Sequence, residues 1–292
     1  MSHPLLPLLK SRTINSAGAR SGKAAFGAWQ TLPGIFFSRT LAAASEHLSW
    51  ICLDCEHGLI PLQGGVAECI TAINSVSSGI APNRKEAPSV LVRIPATGVS
   101  TGTGWQIKIA LDAGARGVIV PMVNNASKAK EIVQDAKFPP AGRRGYGNPF
   151  THTLWDQSFT DYIKQANDNI LVMVQIETKE AVDNVEGIAA VPGVDVLFIG
   201  PFDLSLSLGF PPPSPDPHPE VEKVITRIRE AAHKNGKYCA FYCGTGSQAH
   251  QRAAEGFDIV SVISDVGAMS EGISKNIATA AGIEGGARPA GY

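Results

Sequence analysis

The chain has 292 residues, 44% apolar and 17% charged, with a net charge of −1 and a pI near 6.7. That is chain enough for one large domain or two modest ones. The near-neutral balance excludes partners held by bulk charge, such as nucleic acid or an anionic membrane surface, and no apolar run reaches the roughly 18 residues that a membrane span needs.

From the N-terminus, Lys10, Arg12, Arg20, Lys23 and Arg39 precede the first acid, Glu46. Such a stretch weakly resembles a mitochondrial transit peptide. Against that, Ala24-Ala-Phe-Gly-Ala-Trp29 already has the pattern of a buried strand, so any removable part ends before about residue 20. The expected organisation is an N-terminal extension over residues 1–20, one domain over 21–284 and a flexible tail over 285–292, in a cytoplasmic protein.

The strand-like runs are Ala24–Trp29, Trp50–Asp54, Val90–Ile94, Gly117–Val123, Leu171–Ile176, Val194–Ile199, Tyr238–Tyr242 and Phe257–Ile263. Helical patterns lie between them. Thr178 is placed to cap a helix carrying Ala181, Val185 and Ile188, and Val191, Pro192 and Gly193 end it. Val221, Val224, Ile225 and Ile228 form an apolar stripe at helical spacing, and Gly236 stops that helix as a left-handed cap. Strand and helix alternate throughout, and the strands are continuously apolar, which predicts parallel strands covered by helices. The fold class is α/β, and the eight repeats predict a (β/α)₈ TIM barrel. A doubly wound open sheet is the alternative, but the turn Trp29–Gly34 lacks the glycine-rich signature of that fold.

Three connections are long. Ala96–Gly104 is rich in Gly, Ser and Thr, Phe138–Phe159 holds two adjacent arginines, and Phe210–Pro219 carries six prolines in ten residues. The first and third leave strand ends and are expected on the active face; the second leaves a helix and is expected to start on the opposite face.

In a barrel, functional groups gather where strands end. Those ends carry Trp29, then Asp54-Cys-Glu-His57, Arg93, Pro121-Met-Val-Asn124, Gln175 with Glu177, and Asp203. Glu177 and Asp203 are candidate ligands for a hard divalent cation, because two carboxylates leave positions open for substrate oxygens. A helix-capping role is the plainer reading of each. Gln175 and Glu177 share one strand face by period two. Arg93 sits among Val, Leu and Ile, where a guanidinium needs a partner. It can serve a developing oxyanion, pair with Asp54 or Glu56, or do both. His57 carries an imidazole, the side chain suited to moving a proton near neutral pH. Cys52 and Cys55 lie three apart on a strand, hence on opposite faces. The five cysteines are therefore expected as core thiols. No lysine ends the sixth or seventh strand, which argues against an imine mechanism.

Taken together, Asp54-Cys-Glu-His57, Leu91-Val-Arg-Ile-Pro95, Ile119-Val-Pro-Met-Val123, Tyr146 with its glycine neighbours, Val174-Gln-Ile-Glu177 and Phe198-Ile-Gly-Pro-Phe-Asp-Leu204 resemble the HpcH/HpaI aldolase family from about Ala24 to Met269. The resemblance implies a barrel of the phosphoenolpyruvate/pyruvate type and a class II, metal-dependent pyruvate aldolase. It implies Glu177 and Asp203 as metal ligands for Mg²⁺, Mn²⁺ or Co²⁺. Arg93 would stabilise the pyruvate enolate, and His57 would be the base with Asp112 as its acidic partner. Gln175, Gly200, Pro201 and Phe202 would surround the pyruvate, with Trp29 also against the substrate. It further implies a homo-oligomer, commonly a hexamer built as a trimer of dimers that swap the last helix, here within Val266 to Ala281. The implied reaction is reversible cleavage of a 4-hydroxy-2-oxo acid, such as a 2-keto-3-deoxy sugar acid, into pyruvate and an aldehyde. Oxaloacetate decarboxylation, a CoA-thioester lyase and a biosynthetic enolate reaction are the alternatives on the same barrel. Cys55, the length of the Ala96–Gly104 loop and the Pro-rich stretch depart from the family pattern and leave the aldehyde half open.

Overall fold

The computed structural model of the chain describes residues 5–14, 20–76, 86–95 and 102–283. Eight parallel strands close into a barrel: β1 Ala25–Gln30, β2 Trp50–Asp54, β3 Ser89–Arg93, β4 Gly117–Val120, β5 Leu171–Ile176, β6 Val196–Ile199, β7 Tyr238–Phe241 and β8 Ile259–Ser264. They pair in chain order, and β8 returns to β1. The barrel expected from the alternation is thus the observed architecture.

Each strand is apolar on both faces because both are covered. Along β2, Trp50 and Cys52 point into the barrel, whereas Ile51 and Leu53 pack under the helices. Period two therefore generates two cores from one strand. The inner core holds Trp29, Trp50, Leu91, Ile119, Met173 and Phe198; the outer one joins strand backs to helices. Gly27 on β1 is required here, because a Cβ would collide with the Trp50 indole that fills the space.

The helices run back along the outside. They begin with α1 Leu5–Lys10, α2 Ile35–Ala43, α3 Gly65–Asn74, α4 Gly104–Asp112, α5 Ala126–Ala136, α6 Thr151–Leu154 and α7 Phe159–Asn169. Then come α8 Lys179–Asp183, α9 Val185–Ala189, α10 Pro201–Ser207, α11 Pro219–Lys234, α12 Gly246–Ala254 and α13 Asp265–Ala280. Thr178 caps α8 by accepting from the Ala181 N–H, as expected. The single helix expected after β5 is instead two, broken where Asn184 leaves helical geometry at φ −104°. Gly236 ends α11 at φ +71°. The strand expected over Gly117–Val123 stops at Val120, because Met122 turns left-handed at φ 53°.

The domain boundary needs correction. Residues 5–12 are no extension. Leu5, Leu6 and Leu9 of α1 are buried with the inner core and plug the amino-terminal end of the barrel. The Leu5 N–H donates to Ser89 Oγ at 3.1 Å, at the start of β3. Arg12 Nε donates to buried Asp258 at 2.7 Å. Asp258 also accepts from the Cys239 N–H and faces His233 Nε2, each at 2.9 Å. A positive, acid-free start reads as a detachable leader by composition, but its leucines complete the core. Residues 96–101 of the third-strand loop and the expected tail over 285–292 lie outside the described residues.

Phe138–Phe159 stays on the amino-terminal side. Thr151 Oγ1 donates to the Asp112 carbonyl at 2.6 Å, and Trp155 Nε1 donates to the Gly114 carbonyl at 3.1 Å.

Candidate active site

The site begins with Asp54, at the end of β2. Its Oδ1 accepts from Arg93 Nε at 2.9 Å and from the Glu56 and His57 N–H groups at 3.0 and 3.3 Å. Its Oδ2 accepts from Arg93 Nη2 at 2.6 Å and from Trp29 Nε1 at 3.1 Å. The register that pairs Asp54 with Arg93 across β2 and β3 puts the fork opposite the carboxylate. Burial alone would push the Asp54 carboxyl up; the Arg93 pair and the Trp29 and Glu56 hydrogen bonds outweigh it and hold it below its ordinary value.

Arg93 is 4% exposed. Its Nη1 lies 3.3 Å from Glu56 Oε2, and its guanidinium lies over the Trp29 ring, 5.0 Å from the centroid. The same Glu56 oxygen is 3.6 Å from His57 Nε2, whose side chain is 57% exposed at the barrel mouth. His57, Glu56, Arg93 and Asp54 thus form one charged chain from solvent to the barrel interior. Gly58 permits the turn behind it, because a Cβ there would strike the Asp54 carbonyl.

The second half of the site lies across the mouth. Glu177, 1% exposed, accepts from the Met122 N–H at 2.8 Å and from Gln175 Nε2. The left-handed turn at Met122 aims that N–H, which explains why β4 ends early. Burial pushes the Glu177 carboxyl up to about 7, with Asp203 and Glu56 adding repulsion against the two hydrogen bonds. Gln175 Oε1 is buried with no partner among the described residues. Gly200 leaves room for both groups, since a Cβ there would collide with Glu177 Oε2 and press on Gln175 Nε2. Asp203 stands in the first turn of α10, after Pro201 at its start.

These groups fit a divalent cation. Glu177 is desolvated and feels the charge of Asp203, and the orphaned Gln175 amide oxygen lies on the same strand end. Among the described residues no cluster of three or more His, Cys, Asp and Glu is arranged for a metal. A cation here therefore needs other oxygens to complete its shell.

Trp29, Arg93, Gln175, Gly200, Phe202 and Asp203 border one small pocket open to solvent. Trp29 and Phe198 make its dry floor, with ring centroids 5.6 Å apart. The pocket thus gathers Asp203 and the expected pyruvate residues with Arg93, while Glu177 does not border it and joins through its hydrogen bond from Gln175. His57 does not line the pocket and reaches it through Glu56. Asp112 differs from expectation. It ends α4, on the opposite side of the barrel, and pairs with Arg144 Nη2 at 2.7 Å and with Lys108 rather than with His57. A helix that follows a strand runs back to the other face, so a residue at its C-terminal end cannot meet a strand-end histidine of its own protomer.

Three further contributors lie outside the polar ends of the first six strands. Tyr242 follows β7 directly and borders the pocket with Phe198. Asp265, after β8, accepts from the Thr31 and Leu32 N–H groups at 2.7 and 2.9 Å, and so fixes the loop leaving Trp29. Continuing the strand-end reading through strands seven and eight reaches both Tyr242 and Asp265. The backbone role of Met122 carries no side-chain signal. Cys55 is held near 12 by burial and nearby Asp54, which keeps it a thiol. All five cysteines are free, as expected.

Residues 40–271 match the model of a family described as HpcH/HpaI aldolase/citrate lyase. The chain is 33% identical over 262 residues to a hydroxypyruvate/pyruvate aldolase of Rhizorhabdus wittichii, covering 89% of this chain and 95% of that one. It is 34% identical over 222 residues to a 4-hydroxy-2-oxo-heptane-1,7-dioate aldolase of Shigella boydii, covering 75% and 78%. Among solved structures, an HpcH/HpaI aldolase/citrate lyase family protein of Burkholderia cenocepacia superposes with a TM-score of 0.75 at 30% identity, over 89% of this chain and 96% of that one.

Proposed function

We propose, for a chain that belongs to the HpcH/HpaI aldolase/citrate lyase family, reversible cleavage of a 4-hydroxy-2-oxo acid into pyruvate and an aldehyde. The chain is an enzyme of the lyase type. The observation that carries the reading is a buried, Asp54-clamped Arg93 on one pocket with Gln175 and Asp203, with Glu177 held behind Gln175 by a hydrogen bond. Substrates of this class include 2-keto-3-deoxy sugar acids; one relative is a hydroxypyruvate/pyruvate aldolase and another a 4-hydroxy-2-oxo-heptane-1,7-dioate aldolase.

A divalent cation held by Glu177 and Asp203 (Mg²⁺, Mn²⁺ or Co²⁺) would supply Lewis-acid polarisation of the 2-oxo group. Gln175 and the backbone at Gly200, Pro201 and Phe202 seat the pyruvate half. His57 takes the C4 hydroxyl proton, directly or through water, and the C3–C4 bond breaks. Negative charge then grows on the C2 oxygen. Arg93 faces that charge from a position fixed before the reaction begins, which is the arrangement that stabilises it most. Trp29 and Phe198 keep water from the pyruvate end. Asp112 can act on a histidine only across an interface between protomers, because its own His57 is on the other side of the barrel.

The C-terminal helix supports an oligomer. Only Asp265 and Gly267 of α13 are buried, while Val266, Met269, Ile273 and Ile277 are exposed along it. A groove stands open on the outer face of β1 and β8, bordered by Phe26, Ala28, Leu41, Leu48, Ala249 and Val262. In this reading α13 of a second copy fills that groove, as in a trimer of dimers.

The test is pyruvate release from a panel of 4-hydroxy-2-oxo acids with Mg²⁺, Mn²⁺ or Co²⁺, with oxaloacetate in parallel. Activity on oxaloacetate alone would replace the aldolase reading with a decarboxylase. Full activity after chelation, or a borohydride-trapped lysine adduct with pyruvate, would defeat the class II assignment.

A further inference from the structure

Asp265 is the first residue of α13 and is 3% exposed. The register that pairs Ser264 of β8 with Trp29 of β1 sets it beside the loop that leaves β1. An aspartate at a helix start ordinarily serves the amide groups of its own helix. Here Ser264 already caps α13, accepting from the Gly267 N–H at 3.1 Å. Asp265 makes one contact to α13, from the Val266 N–H at 2.8 Å. Three more go to the β1 loop. Its Oδ2 accepts from the Thr31 and Leu32 N–H groups, and its Oδ1 accepts from Thr31 Oγ1 at 2.7 Å.

The far side of Thr31 bears on the turn after β2. The Thr31 carbonyl accepts from the Leu59 N–H at 2.8 Å. Gly58 packs so close that a Cβ would stand 2.9 Å from that carbonyl oxygen and 3.0 Å from Thr31 Cα. Gly58 and Leu59 directly follow His57. The His57 side chain is mostly exposed, so the backbone on either side of it sets where the imidazole stands. On one side its N–H donates to Asp54 Oδ1 at 3.3 Å, a long hydrogen bond. On the other side, Gly58 and Leu59 rest against Thr31.

We propose that Asp265 is a positioning residue for His57: it fixes Thr31, and Thr31 backs the turn that holds the imidazole at the barrel mouth. This inference rests on the aldolase reading above, in which His57 takes the C4 hydroxyl proton. The path crosses three neighbouring strands, β8, β1 and β2, and does not run through Arg93, Gln175 or Asp203. Trp29 is held apart from it, by strand pairing and by its bond to Asp54. Asp265 therefore bears on the proton transfer and not on the seat of the pyruvate half. A displacement near 1 Å in a catalytic group can cost about a hundredfold in rate.

The experiment is a double-mutant cycle on pyruvate release with Mg²⁺ or Mn²⁺. It is run on the 4-hydroxy-2-oxo acid that the wild type cleaves fastest, beginning with 4-hydroxy-2-oxopentanoate. Asp265→Ala should lower kcat at least about tenfold and change KM less than about threefold, since the pyruvate seat is untouched. In a His57→Ala background the same substitution should cost less than about threefold, because no base remains to be misplaced. Thr31→Gly loosens the middle of the path in a half-buried loop, and should show the same non-additivity where Asp265→Ala does not fold. A smaller loss for Asp265→Ala, or equal losses in the two backgrounds, overturns the proposal and leaves Asp265 a structural residue. Failure of the aldolase reading shows separately: no cleavage by the wild type, or a His57→Ala loss under about threefold, removes the base before Asp265 is touched.

Discussion

Replacing Asp54 with Asn tests whether Arg93 is positioned by the protein or merely present. The substitution keeps the shape and removes one acceptor, because an amide nitrogen can only donate. If that nitrogen takes the Oδ2 place, it meets Arg93 Nη2 and Trp29 Nε1, both donors. If it takes the Oδ1 place, it meets Arg93 Nε and the Glu56 and His57 N–H groups. Either way at least two hydrogen bonds are lost, and the buried guanidinium loses its carboxylate clamp while Glu56 stays 3.3 Å from Nη1. Breaking a buried ion pair from one side costs about 3–5 kcal/mol. For a chain of this size each kcal/mol moves Tm by roughly 2–4 °C, so a fall of roughly 10 °C is expected. Activity should fall further than stability accounts for, since a displacement near 1 Å in a catalytic group can cost about a hundredfold. Pyruvate release coupled to NADH oxidation gives kcat/KM, and calorimetry gives Tm. A variant within about threefold of wild-type kcat/KM would refute the claim that Asp54 presets Arg93.

Other outcomes follow from the same geometry. His57→Ala should lower kcat on the order of a hundredfold or more, the usual worth of a general base, whereas a loss under about threefold would remove His57 from the proton transfer. Arg93→Lys should also be severe, because a point charge cannot replace the fork that meets Asp54; near-wild-type kcat would show that charge alone suffices. Glu177 is pushed up to about 7 in the folded chain. The folded state thus binds the extra proton between the ordinary carboxylate value and about 7, so metal-free protein should lose stability as pH rises through that window. Metal must displace that proton, so affinity should strengthen with pH up to about 7 and then level off. Titration calorimetry across that range, with Glu177→Gln as the control lacking the stability slope, checks both signs. Ile273→Asp with Ile277→Asp should dissociate the oligomer while sparing the protomer fold, since both side chains are exposed; light scattering that reports an unchanged mass would end the helix-exchange reading.

Strand number, strand order and the α/β class were legible because burial on both faces leaves a continuous apolar signature, with helix signals such as the Thr178 cap between strands. Glu177, Asp203, Arg93 and Gln175 were legible for a related reason: a polar residue closing an apolar strand has few places to go except the barrel mouth. What misled was information that lies across the chain. The basic start of the sequence is locally like a leader, yet Leu5, Leu6 and Leu9 find their partners on strands far away in sequence. Asp112 stands on the opposite side of the barrel from His57 of its own chain, because helices reverse direction.

The sequence by itself determined the barrel and the set of charged groups at its mouth, since periodicity and strand ends are properties of the chain read in order. Only the tertiary structure decided who holds whom. The β2–β3 register turned Asp54 into the clamp on Arg93, and the left-handed turn at Met122 supplied a backbone donor to Glu177. The β6–β7 pairing set the Phe202 and Tyr242 rings side by side at the pocket. Such pairings depend on distances between strands, and no local pattern of residues encodes those distances.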